Sequence, residues 1–147
     1  MARNAVAYDE DFYAWTLEQA RLLRSGEFSQ IDVENLAEEL ESMGRSDRRE
    51  LDSRLVVLVV HLLKWQLQVR LRSPSGTGTI REQRRQIEKL LRESPSLRPM
   101  TDQLLSEAYA EAREKAADET GLPETSFPVV CPFTAAQALT ADFLPEG

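Results

Sequence analysis

The sequence predicts an all-α protein, and three observations carry that prediction. Apolar residues recur at three- and four-residue spacing through most of the chain. No segment alternates apolar and polar residues as a half-buried strand does. The six glycines and seven prolines fall mostly at points that separate long uninterrupted stretches. At 147 residues the chain is one domain's worth. We therefore expect a single helical domain over 1–147, a compact bundle of five to six helices around a long buried central one.

Residues 1–7 are expected to be a flexible start. Asp9 or a neighbour then caps a first helix to about Arg24, with Tyr8, Phe12, Trp15, Gln19, Leu22 and Leu23 on one face. Asp32 is a good N-cap for a second helix and Gly44 a good stop for it; Val33, Leu36, Leu40 and Met43 form its apolar stripe. The third helix, about 47–72, is predicted to be the central one because it carries two apolar faces. Leu51, Leu55, Leu58, Leu62, Trp65 and Val69 make one, and Val56, Val59, Val60, Leu63 and Leu67 the other. Its narrow polar strip contains Arg54, His61, Lys64 and Gln68.

Residues 73–78, SPSGTG, read as a loop, and Thr77 or Thr79 as the cap of a fourth helix to about Glu93. Ile80, Ile87, Leu90 and Leu91 face inward there, opposite a basic stripe of Arg81, Arg85, Lys89 and Arg92. A fifth helix, from Ser96 or Met100 to Thr120, has a seam of Leu104, Ala108, Ala112 and Ala116 whose small residues permit close approach of a neighbour. Prolines hold 123–133 extended, and Thr134 caps a short terminal helix over 134–143.

Composition narrows the function classes. Hydrophobic residues at 41% and charged residues at 29% exclude collagen-like, mucin-like and wholly disordered chains. One cysteine, Cys131, and one histidine cannot furnish a four-ligand zinc site, and a lone cysteine forms no internal disulfide. Cys131 reads as a small buried hydrophobe. No secretory signal is visible and the apolar run around Leu55 to Leu63 is far too short to span a bilayer, so a cytoplasmic protein is expected.

Several blocks of the sequence have a familiar combination. The run YDEDFYAWTLEQARLLRSGEFSQIDVENLAEELESMGRSDRRELDSRL is followed by HLLKWQ, TIREQRRQIEKLLRESPSL, AY-x-x-AR, ETG, FP and CP. Together they resemble the bacterial domain of unknown function family 29, from about Tyr8 to Phe143. The resemblance implies a compact α-helical protein of a family common in cyanobacteria and proteobacteria, and it brings no assigned activity. One departure stands out: the loop before Thr79 usually carries a tryptophan where this chain has Gly76.

Four candidate sites follow from the residues. Glu39, at the edge of the second helix's apolar stripe, would reach His61, Lys64 or Arg54 if the second and third helices pack side by side. A carboxylate-oriented histidine is a widely used general acid or base, whereas the plainer reading is a buried polar network that fixes helix register. The acidic side chains Glu34, Glu38, Glu41, Asp9, Glu10 and Asp11 suggest a metal site, but no Glu-x-x-His pair accompanies them, and a solvated face accounts for them; no metal and no cofactor are expected. Net charge runs −6, +6 and −7 over residues 1–50, 51–100 and 101–147. The central basic block, with Arg84 beside the stripe, would track a nucleic-acid backbone or would offset the acidic helices within the fold or across a dimer. The glycine-containing SPSGTGT lacks the lysine of a phosphate-binding loop, yet its place before a helix suits a weakly held anion.

These observations favour a non-catalytic interaction or regulatory module over an enzyme. A homodimer would cover the second face of the central helix, or the fifth and sixth helices would cover it instead. Alternatives are a nucleic-acid-associated accessory protein, as in a stress-response toxin–antitoxin pair, working through the basic stripe, and a small-molecule enzyme with a Glu39–His61 pair.

Overall fold

A computed structural model of the chain describes residues 6–146; the expected flexible start falls largely outside them. Among the described residues the fold is all-α, with no strand. Its helices are α1 (Phe12–Ser25), α2 (Val33–Leu67), α3 (Pro74–Glu93), α4 (Thr101–Thr120) and α5 (Ala135–Leu139). The chain divides into two compact units, residues 1–46 and 47–147, and the boundary falls within α2.

The first unit is a helical hairpin. Asp11, rather than Asp9, caps α1 by accepting from the Ala14 N–H at 3.0 Å. Gly26 ends it at φ 76°, where a side chain would be strained, while its own N–H reaches back to the last turn. Asp32 then does two jobs. It caps α2 by accepting from the Asn35 amides at 3.3 and 2.8 Å, and it accepts the indole N–H of Trp15 at 3.1 Å. The buried Gln19 side-chain carbonyl accepts from the Asp32 N–H at 2.7 Å, so one residue joins both helices of the hairpin. Tyr8, Phe12 and Trp15 pack as an aromatic cluster with centroids 4.8 to 5.8 Å apart.

The bonds from Asn35, and then from Trp15, hold the Asp32 carboxyl below its ordinary pKa of 3.8. A depressed folded-state pKa gives stability that is present above 3.8 and lost as pH falls through the folded value. The hairpin should therefore loosen in acid below about pH 4, seen as a shift of Trp15 emission in a Trp65→Phe background. Asp32→Ala should weaken it by about 1 kcal/mol at neutral pH and remove that acid step.

The structure corrects the predicted break after Gly44. The second and third predicted helices are one helix of 35 residues. Gly44 is not among the residues with positive φ, and Arg45 pairs with Glu38 at 2.8 Å and with Glu41 at 3.7 Å across the same turns. A helix-interior glycine costs only about 1 kcal/mol, which the neighbouring good helix formers and the buried C-terminal half of α2 outweigh. The α-helix also stops at Leu67, short of Arg72, and a 3₁₀ turn over Val69–Leu71 follows.

In the second unit, α2 is the core. Leu51, Leu55, Leu58, Leu62 and, on the other face, Val56, Val59, Val60 and Leu63 are all buried against Ile80, Ile87, Leu90 and Leu91 of α3 and Leu104, Leu105, Ala108, Ala112 and Ala116 of α4. Both apolar faces are thus covered along this stretch by the unit's own helices, while Leu67 and Val69 at its end stay exposed.

The segment read as a loop, 73–78, is instead the first turn and a half of α3. Ser73 accepts from the Gly76 N–H at 3.1 Å and Pro74 occupies the first helical position, where its missing N–H costs nothing. Thr77 and Thr79 lie inside the helix and bond back to the Pro74 and Ser75 carbonyls. A 3₁₀ stretch, Pro95–Met100, leads into α4, which ends at Gly121 with φ 73°. The segment 123–133 is mostly irregular, with one 3₁₀ turn at Glu124–Ser126. Tyr109 anchors it by donating to the Pro128 carbonyl at 2.5 Å, and burial pushes the phenol up to about 12. The terminal helix is shorter than expected. Thr134 and Gln137 form a reciprocal cap, but helix persists only to Leu139.

Candidate functional site

The end of α2, the start of α3 and the end of α4 enclose a cavity of about 400 Å³ in the second unit. His61, Lys64, Trp65 and Gln68 come from α2 and its end, Arg72 from the following turn, Ser73, Ser75, Gly76, Thr79 and Ile80 from the start of α3, and Glu119 and Thr120 from α4. Only six residues separate α2 from α3, so the two helix ends are held near each other, and the capped N-terminus of α3 faces the polar strip of α2.

Each polar group has a definite setting. His61 Nδ1 lies 2.9 Å from the Val57 carbonyl, which can only accept, so Nδ1 is the donor and Nε2 is the ring nitrogen left for other partners. Arg72 donates from Nε to the Trp65 carbonyl at 2.8 Å and lays its guanidinium over the indole, 4.8 Å from the ring centroid. Its Nη2 is buried and has no hydrogen-bond partner. Lys64 and Arg72 bring two positive charges, and the first turn of α3 adds the positive end of a helix dipole. Against them stands Glu119. Gly76 leaves room in the wall: a Cβ there would meet only Ser73 Oγ at 3.7 Å, an ordinary contact. A second hollow of about 320 Å³ lies between α2 and α4, lined by Val56, Val57, Val60, His61, Lys115, Asp118 and Glu119, so His61 borders both.

The predicted grouping of Glu39 with His61, Lys64 and Arg54 depended on a chain reversal near Gly44 that the structure does not contain. Glu39 and His61 occupy one continuous helix, about six turns apart along it. Glu39 instead accepts from the Tyr8 hydroxyl, which raises the phenol's pKa. Arg54 pairs with Glu50 at 3.0 Å and donates to Gln83 at 3.2 Å. His61 and Lys64 do share a cavity, and the carboxylate beside them is Glu119. Ser73 and Ser75 belong to the SPSGTGT stretch read as suited to a weakly held anion, and the Ser73-Pro74 pair, an N-cap followed by a first-turn proline, is the signal that could have placed them at a helix start; Arg72 and Glu119 were not singled out from the sequence.

Arg81, Arg85, Lys89 and Arg92 all lie exposed on α3, with Arg85 paired to Glu82. Arg84 does not join them. It is buried, 8% exposed, and donates to the carbonyls of Ala138, Ala141 and Phe143 at 2.8, 3.0 and 2.6 Å. Its charge is spent on fastening the C-terminal segment, and desolvation pulls its pKa down. Of the acidic candidates, Glu38 and Glu41 pair with Arg45, and Asp11 caps α1. Cys131 is half-buried, donates to the Phe133 carbonyl at 3.4 Å, and has its thiol pushed up by burial. No helix among the described residues is long and apolar enough to cross a membrane.

Comparison with known proteins adds a family and nothing finer. No curated protein and no solved structure matches the chain. A family model does match, over residues 7–144, nearly the full length. The chain belongs to the family described as the domain of unknown function DUF29.

Proposed function

We propose that the protein is a non-catalytic, regulatory binding module whose second unit holds a small anionic molecule, a carboxylate or a phosphate ester. One observation carries the reading: a cavity of about 400 Å³ in which Lys64, Arg72 and the N-terminus of α3 converge. Cavities of roughly 300 to 1,000 Å³ suit small ligands, and a helix N-terminus flanked by cations favours negative charge. Glu119 supplies an acceptor for a hydroxyl or amine on the same ligand, and His61 Nε2 a further polar contact. The cavity's own residues include no cysteine, and its serines are positioned by the helix start rather than by a base, which favours holding a ligand over transforming it.

Native mass spectrometry of the untagged chain prepared at low salt, followed by denaturation and reweighing, tests this directly. A small adduct lost on denaturation is the expected result. With the released acid in hand, Lys64→Gln should weaken its binding by about ten-fold or more, since a charge-assisted hydrogen bond contributes roughly 1.5 to 3 kcal/mol. Gly76→Trp, which puts the family's usual residue into the wall, should abolish binding while leaving the helical signal intact. A bare chain at low salt that also fails to bind phosphate or carboxylate compounds would overturn the proposal.

A further inference from the structure

The first unit carries a feature that the cavity does not involve. A groove of about 240 Å³ runs along the hairpin, lined by Phe12, Trp15 and Leu23 of α1 and by Leu36, Leu40 and Met43 of α2. Four of these side chains are large, apolar and open to solvent: Phe12 is 49%, Leu23 44%, Leu40 66% and Met43 65% exposed. The apolar stripe predicted to face inward on the early part of α2 is therefore mostly uncovered. Of the unit's described residues only Trp15, Gln19 and Leu22 are buried, so two helices alone do not complete a core here.

The groove's surroundings select its occupant. Residues 1–46 hold ten carboxylates and four arginines. Two of those four arginines are already engaged, Arg21 with Glu18 and Glu27 and Arg45 with Glu38 and Glu41. Glu39 stands within the groove itself. A second copy bound through the same face would set two such acidic surfaces against each other, which costs several kcal/mol in like-charge pairs. A basic partner gains from the same field. Shape points the same way: Leu36, Leu40 and Met43 follow the i, i+4, i+7 pattern of one helix face, and a helix laid between two antiparallel ones completes a three-helix core.

We propose that this groove docks a basic amphipathic helix of a partner protein, with apolar anchors against Phe12, Leu40 and Met43 and lysines or arginines drawn by Glu39 and the unit's net negative charge. The site lies within the first unit and does not depend on ligand capture in the second.

The test uses the full chain and two fluorescent amphipathic peptides of about 18 residues, one built from leucine and lysine and one from leucine and glutamate. Anisotropy should show the lysine peptide binding at least ten-fold more tightly than the glutamate peptide. Leu40→Ser with Met43→Ser should weaken the lysine peptide at least ten-fold while helical content and melting temperature stay unchanged, because both side chains are exposed. Equal binding of the two peptides overturns the proposal, as does lysine-peptide binding that the double variant leaves intact, which would place it elsewhere on the acidic surface. A dimer of the parent chain that the double variant dissolves would make a second copy the occupant. A large fall in melting temperature would show the groove to be covered within the molecule.

Discussion

Replacing Arg84 with methionine is expected to lower the melting temperature by about 10 °C. The guanidinium is the one buried cation on α3, and its three bonds tie that helix to the carbonyls of Ala138, Ala141 and Phe143. Methionine keeps much of the apolar stem and removes every donor, leaving the Ala138 carbonyl unsatisfied in a buried site. Ala141 is exposed and its carbonyl can turn to water, so the three bonds do not add. A net loss of about 3 kcal/mol follows, which for a domain of this size is roughly 10 °C. Arg84→Lys should recover only part of it, since an ammonium cannot span three acceptors in fork geometry. Calorimetric scans of the three proteins decide the matter. An unchanged melting temperature in the methionine variant would mean that desolvating the cation offsets all three bonds.

Leu58→Ala should cost about 3 to 4 kcal/mol, with a matching drop in the urea midpoint at constant slope. Leu58 is 0% exposed and sits at the centre of the α2 segment enclosed by α3 and α4, so truncation leaves a cavity that close-packed neighbours fill only partly. The informative control is on the same helix. Leu40→Ala makes the identical chemical change at a residue 66% exposed and should move stability by less than about 0.5 kcal/mol. A loss of under about 1 kcal/mol at Leu58 would contradict the enclosure of α2.

The fold class, the buried faces of the central helix and the positions of α1 and α4 were legible because they rest on periodicity and on strong end signals such as Gly26 and Gly121. Gly44 misled for a definite reason. A glycine marks a helix end only where the backbone turns left-handed, and the sequence does not say which glycines do so; Gly26 and Gly121 do, while Gly44 continues the helix. That single junction carried the expected site with it, because Glu39 could meet His61 only across a turn. SPSGTG misled in the opposite direction: two glycines and a proline suggested a loop, yet serine before proline is a strong start signal that tolerates both glycines inside the helix. The basic stripe was legible from spacing, whereas the burial of Arg84 was not. Its partners are backbone carbonyls 54 to 59 residues away, and carbonyls leave no trace in residue identity.

The long α2 helix also holds a spare beginning. Just past Gly44 come Asp47 and, three residues later, Glu50, the spacing of a reciprocal cap, followed at once by the buried run from Leu51. In the intact helix that signal is silent, since the residues around it continue the preceding turns. If a protease cleaves the chain near Gly44, the weakest point for helix propensity, the downstream piece inherits a ready-made helix start and its complete core. Limited digestion should thus yield a persistent fragment from about Arg45 onward, while the hairpin is degraded, and the fragment's amide-exchange protection should match that of the parent over the same residues.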